Sequence, residues 1–153
     1  DLPPDRRRRS QGGVMGGGQI KQQNEASNME KKVYNVPGQA TAGPYSHATE
    51  AGGFVFVSGT GPIDIEQNLF EFEDVKKATG IVLDNIRKIL NAAGSDLDKV
   101  VKANVYLRDM ADFNLMNEVY STYFPQNQPA RTCIAAKQLP ANIPVEIEVI
   151  AIK

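Results

Sequence analysis

The chain has 153 residues, 41% of them hydrophobic and 23% charged, with a formal net charge of −1 and a single cysteine. That length holds one domain with a real core and not two. One cysteine excludes an internal disulfide framework and fits a reducing compartment, the cytoplasm or an organelle, while the absence of any run of 18 apolar residues excludes a helical membrane span. Charge is divided unevenly: residues 1–29 carry five basic and three acidic side chains, residues 30–153 twelve and fifteen. A mildly acidic body argues against a broad nucleic-acid footprint, which needs clustered Lys and Arg.

Residues 1–29 contain the run Arg6 to Arg9, several glycines and Gln22-Gln23-Asn24, with almost no apolar periodicity. Such a composition buries too little surface to offset ordering and predicts a flexible tail, with Met29 as a plausible native start. Val33 to Asn35 suits a short first strand. Residues 46–51 and Phe54 to Ser58 form a hairpin candidate around Gly52-Gly53, with Phe54, Phe56 and Ser58 on one face. Gly59-Thr60-Gly61-Pro62 then breaks the strand and opens a turn-rich loop to Phe70. It lacks the Gly-Lys-Ser/Thr ending and following helix of a phosphate loop.

Glu73-Asp74 opens the clearest helix, with Val75, Ala78, Thr79, Val82, Leu83, Ile86, Ile89 and Leu90 at three- and four-residue steps and Gly94 at its end. Acidic residues are placed in its first turn, and Gly80 reads as a site of close helix–sheet packing. Val101, Ala103, Val105 and Leu107 alternate with Lys102, Asn104, Tyr106 and Arg108, a half-buried strand with the valines inward. Asp112 caps a second helix whose inner face is Phe113, Met116, Val119, Tyr120 and Tyr123.

Two further strands close the chain, one through Pro129-Ala130-Arg131-Thr132-Cys133-Ile134 and one through Val145-Glu146-Ile147-Glu148, separated by a Pro/Asn turn over 140–144. Arg131 and Cys133 share a face, as do Glu146 and Glu148. On neighbouring strands these would form a small polar constellation. A guanidinium fork matches a carboxylate bidentately, and a carboxylate can hold or deprotonate water. That combination suits hydrolysis of a small carboxylate-bearing substrate. Spacing alone favours solvated strand residues or a structural ion pair, since most charged residues face water. Cys133, with the only histidine far away at His47, reads as a buried apolar thiol rather than a nucleophile. The element order predicts an α+β fold with both helices on one face of a mixed sheet.

Four motifs, in order, carry a family resemblance over residues 33–153: Ala42-Gly43-Pro44-Tyr45-Ser46, Phe56-Val57-Ser58-Gly59, Asp112-Phe113 through Asn117-Glu118-Val119-Tyr120, and the Pro-Ala-Arg…Val-Glu-Ile-Glu block. By these the body resembles the reactive-intermediate deaminases, also called RidA or YjgF. The resemblance implies a chorismate-mutase-like fold, a homotrimer with sites between subunits, and hydrolysis of enamines and imines such as 2-aminoacrylate to a 2-keto acid and ammonia. It also implies site roles: Arg131 clamps the substrate carboxylate, Glu146 positions the attacking water, and Tyr45, Ser58, Gly59 and Asn117 line the cleft. Cys133 offers backbone polar groups, and Glu148 is assigned no role. Neither metal nor cofactor is expected, since a protonated C=N is already electrophilic. Thr60 stands where the family often has Gln, Thr132 where it often has Ser, and the 117–131 segment is shorter than in some members. Two alternatives stay open at this point: a trimer that binds the same ligands without turnover, and an endoribonuclease or translation inhibitor.

Overall fold

In a computed structural model of the chain, residues 29–153 are described; the tail expected over 1–29 lies, but for Met29, outside them. Among the described residues eight strands and two α-helices of more than a turn follow one another: β1 Lys32–Tyr34, β2 Ala48–Ala51, β3 Phe54–Thr60, β4 Ile63–Asp64, β5 Leu69–Phe70, α1 Val75–Ala92, β6 Val100–Leu107, α2 Phe113–Tyr123, β7 Ala130–Ala135 and β8 Val145–Ile152. Six strands form one sheet in the order β1-β2-β3-β8-β6-β7, and β4 and β5 pair as a separate small ribbon inside the segment read from sequence as a loop. Every pairing in the large sheet is antiparallel except β6 with β7.

Alternation along the strands decides the layers. Val55 and Val57 of β3, Ala103, Val105 and Leu107 of β6, and Val145, Ile147, Val149 and Ala151 of β8 are buried and point to one face. The apolar stripe of α1 (Val82, Leu83, Ile86, Leu90) closes over them, and α2 packs beside α1 through Met116 and Tyr120. The two helices thus share one face, as the element order predicted. The other face is bare in the single chain: Phe54, Phe56, Val101, Ile134 and Ile152 are each more than 40% exposed.

Several local expectations need correction. The acidic residues before α1 lie outside its first turn; Asp74 is the N-cap, its Oδ1 accepting from Lys77 N at 3.1 Å. Gly80 faces α2 rather than the sheet, with Tyr123 donating to its carbonyl at 3.2 Å and Val119 close by. Asp112 makes no side-chain cap, because a short 3₁₀ turn over Met110–Asp112 precedes α2 and Asp109 caps that turn through Ala111 N. Val101 points outward and Val100 inward, since a register shift between Val100 and Lys102 reverses the alternation at the start of β6.

Asn85 is the polar residue that the helical pattern hid. It sits in the buried stripe of α1, 2% exposed, and its amide donates to Ile63 O at 2.8 Å and to Gly61 O at 3.5 Å. The loop after β3 is thereby tied to the helix layer. Asn85→Leu keeps the volume but leaves buried carbonyls unpaired, and should lower stability by about 1–3 kcal/mol. Thermal unfolding at fixed protein concentration measures this; an unchanged midpoint would show that the loop is held by packing alone.

Candidate functional site

The strand order separates the residues that the sequence analysis grouped. β7 and β8 are not neighbours, because β6 lies between them. Arg131 pairs level with Ala103, a buried, helix-side residue, whereas Glu146 pairs with Tyr106 on the bare side. Since side chains alternate across the sheet, Arg131 and Cys133 stand on the helix face, and Glu146 and Glu148 on the opposite one. One chain therefore carries two half-sites.

The first half-site is the Arg131 edge. Parallel pairing of β6 and β7 requires a crossover, and α2 is that crossover, so it passes over β7 and brings Asn117 to Arg131. Arg131 Nη1 donates to Asn117 Oδ1 at 2.7 Å. The guanidinium stacks over Tyr120 at 4.7 Å and Phe113 at 5.6 Å from their ring centres, an arrangement that orients the fork while leaving further donors for a ligand. No carboxylate among the described residues pairs with it. Cys133 is partly buried beside it; burial pushes its thiol pKa up against the opposing pull of Arg131. A raised pKa lowers the thiolate fraction and with it the nucleophilicity of the group, although the side chain is only partly buried and not the fully buried thiol expected from sequence.

The second half-site is a cleft of about 550 Å³ on the bare side, lined by Tyr45, Ser58, Gly59, Phe70, Ile143, Glu146 and Glu148 among others. Gly59 is required there by close approach. A Cβ on it would lie 3.0 Å from Glu146 Cδ and closer still to Oε1, so any side chain would displace the carboxylate. Ser58 Oγ donates to Ser46 O at 2.6 Å, which ties β3 to the segment carrying Tyr45. Tyr45 is 47% exposed and its hydroxyl accepts from Ala42 N at 3.2 Å, folding the ring back over its own loop. Thr60, in the place of the expected Gln, is buried and donates to Ser58 O at 2.9 Å, so its hydroxyl serves the strand.

Within the cleft the two glutamates differ. Glu148 Oε1 accepts from Tyr106 Oη at 2.6 Å and from Asn104 Nδ2 at 3.1 Å. Tyr106 is pushed up to about 12 by that bond, burial and the nearby carboxylates, so its proton stays in place as a donor. Among the described residues Glu146 has no such donor. Burial, and then the charge of Glu148, push its pKa above the ordinary carboxylate value. A half-buried carboxyl with raised affinity for a proton is suited to taking one from water and returning it.

Sequence reasoning missed Tyr106, Asn104 and Arg108. The first two were read as the polar side of a half-solvated strand and turn out to hold Glu148. Arg108 donates to Asn142 O at 2.8 Å and to Phe72 O at 3.0 Å, clamping the loop over 140–144 that forms the cleft rim. Ala141 and Asn142 in that loop have positive φ, 53° and 56°, a conformation that needs such an anchor. Arg108 ends the alternating strand, and no sequence signal marks where its fork reaches.

A family model described as endoribonuclease L-PSP matches residues 37–153. A RutC family protein of Pyrococcus horikoshii is 43% identical over 125 residues, covering 82% of this chain and 99% of that protein. The chloroplastic Reactive Intermediate Deaminase A of Arabidopsis thaliana is 42% identical over 127 residues, covering 82% and 68%. Among solved structures, RidA from an Antarctic Psychrobacter species is 38% identical with a TM-score of 0.71, covering 74% of this chain and 92% of that one. With its six-stranded mixed sheet, its two helices on one face and these relatives, the chain belongs to the endoribonuclease L-PSP family, that of the RidA and YjgF proteins.

Proposed function

We propose that this protein hydrolyses small carboxylate-bearing imines and enamines, of the 2-aminoacrylate and 2-iminopropanoate type, in clefts shared between copies of the chain in a homotrimer. The observation that carries this reading is the division of charge across the sheet: a guanidinium with spare donors on one face, a half-buried carboxylate with raised proton affinity on the other. Neither half suffices alone. A second copy laid against the bare face, where Phe54, Phe56 and Ile152 are exposed, would cover apolar surface and set one chain's Arg131 edge against another's Glu146 cleft.

Arg131, held by Asn117 and the two rings, receives the substrate carboxylate in its fork. Water held by Glu146 adds to C2 of the protonated imine, and Glu146 accepts the proton that the water loses. The resulting carbinolamine collapses: Glu146 returns its proton to the nitrogen, the C2–N bond breaks with its electron pair leaving on ammonia, and the C2 hydroxyl becomes the keto C=O by giving its proton to that ammonia, which departs as ammonium. Gly59 allows the close approach of Glu146, and Tyr45 and Ser58 wall the cleft. The Arabidopsis relative's name supports this reading. An RNA cleavage reading gains nothing from the cleft, where Glu146 and Glu148 would face a phosphodiester.

Keto-acid release from freshly generated 2-aminoacrylate tests the proposal. Arg131→Ala should lower kcat/KM on the order of 100-fold, and Arg131→Lys should recover only part of it because an ammonium lacks the fork. Wild-type rates in Arg131→Ala would remove the clamp from the mechanism. Glu146→Gln should abolish turnover while 2-keto-acid binding persists; retained turnover would leave Glu146 without a catalytic role. The pH dependence follows from the sign of its shift. A base is active only when deprotonated, so kcat/KM should rise with pH through a midpoint above the usual carboxylate range. Glu148→Gln removes a like charge and should move that acid limb to lower pH. A limb that stays put in Glu148→Gln would show that another group sets it.

A further inference from the structure

Gly59 and Gly61 stand two residues apart, at most about 7 Å of chain, and each makes room for a different neighbour. At Gly59 that neighbour is the Glu146 carboxylate. A Cβ on Gly61 would instead lie 3.1 Å from Ile143 Cδ1 and 3.6 Å from Phe70 Cε1. Gly61, Phe70 and Ile143 all line the Glu146 cleft, so one step from its carboxylate the cleft has an apolar end. Two local structures fix that end. Phe70 pairs with Ile63 across the β4–β5 ribbon, and Ile143 follows the positive-φ residues Ala141 and Asn142 in the rim. Ile143 is buried, whereas Phe70 is 39% exposed, an aromatic surface that a ligand in the cleft can cover.

The backbone groups around this end are already engaged. Asn85 donates to Gly61 O and Ile63 O, and Glu71 N donates to Pro62 O. In the rim, Ile143 N donates to Pro140 O, while Arg108 holds Asn142 O with its side chain and Pro144 O with its amide. The cleft hydroxyl Ser58 Oγ donates to Ser46 O. A polar side chain entering here would give up water for groups that already have partners, whereas an apolar one has no such cost. An acidic one would also meet the like charges of Glu146 and Glu148 in the same cleft.

We propose that Gly61, Phe70 and Ile143 form the pocket for the substrate side chain and select 2-imino acids with a branched apolar side chain over 2-iminopropanoate. The inference rests on the imine-hydrolase reading, which sets the reacting carbon beside Glu146 and the substrate carboxylate at Arg131. Gly61 is the specificity-determining residue: lacking a Cβ, it leaves open the space beside Ile143 and Phe70 that a methyl branch would enter. Each further carbon buried there strengthens binding about fourfold.

Calorimetric titration of the full chain with 4-methyl-2-oxopentanoate and 2-oxopropanoate tests it, with hydrolysis of the two corresponding imines followed in parallel. The wild type should bind the branched acid at least about tenfold more tightly, and kcat/KM should favour the branched imine. The polar isostere 2-oxosuccinamate should bind less tightly than the branched acid, because it has the same shape without the apolar end. Gly61→Val places a side chain of the protein in the gap and should bring the ratio of the two affinities close to one. Phe70→Ala removes a ring that lies outside the buried core, so it decides the matter where Gly61→Val does not fold; it should lower the same ratio at least about threefold. A wild-type ratio near one overturns the proposal, as does a ratio unchanged in both variants, tighter binding of 2-oxosuccinamate, or binding of neither acid. Hydrolysis of both imines with equal kcat/KM sinks the pocket and keeps the catalytic reading. Preferential binding of the branched acid without turnover of either imine sinks the catalytic reading and leaves the pocket standing.

Discussion

The parallel pairing of β6 with β7 is the constraint on which the rest of the site depends. Two parallel strands cannot be joined by a tight turn, so the chain must cross the sheet, and α2 makes that crossing. The crossover sets Asn117, Phe113 and Tyr120 around Arg131 and thereby fixes the direction of its fork. It also forces the final strand to enter on the other side of β6. With β8 between β3 and β6, Glu146 comes against Gly59 and faces away from the helices. A hairpin between β7 and β8, the simplest connection for runs so close in sequence, would have removed both arrangements.

The electrostatics of the cleft follow from an unequal distribution of donors. Glu146 and Glu148 are two residues apart on one face, so both face the same partly desolvated space. Glu148 is held by Tyr106 and Asn104, reached across the β6–β8 ladder, and its charge is compensated by hydrogen bonds. Glu146 carries the cost of desolvation and the repulsion of its neighbour. Two identical side chains thus acquire different proton affinities from their surroundings. Glu148, which family likeness leaves without a role, becomes the group that tunes Glu146.

The cleft is held together from behind by polar side chains in places where apolar ones would be expected. Asn85 in the helix stripe ties the Gly61–Ile63 loop, and Arg108 at the end of β6 ties the 140–144 loop. His47 ties the segment before Tyr45. Each satisfies backbone groups of a loop that has no ladder partner of its own, which is how irregular segments are kept in one conformation. The bare sheet face completes the division of labour: it carries exposed phenylalanines and isoleucines at a spacing set by the same alternation that buries the core.

By itself the sequence determined the parts. Alternation over β3, β6 and β8 and the three- and four-residue steps of α1 are local patterns, so the strands of the large sheet, the helices and the α+β class were legible, as was the Gly52-Gly53 turn, whereas the two-residue strands β4 and β5 are too short to show a period. The chemistry of Arg131 and Glu146 was legible for the same reason: a guanidinium and a carboxylate have their properties before they have neighbours. Only the tertiary structure decided which parts meet. Chain order makes β7 and β8 look like partners, but strand pairing is a long-range choice set by the crossover, and it places Arg131 and Glu146 on opposite faces. The same holds for Gly80, whose neighbour is a helix 39 to 43 residues away, and for Val100 and Val101, where one shifted residue exchanges inside and outside. Asn85, Tyr106 and His47 acquire meaning only from partners distant in sequence: loop carbonyls, a carboxylate and the Val36 amide. Periodicity reports the face a residue occupies within its own element; hydrogen-bond partners and burial depend on what the rest of the chain brings to that face.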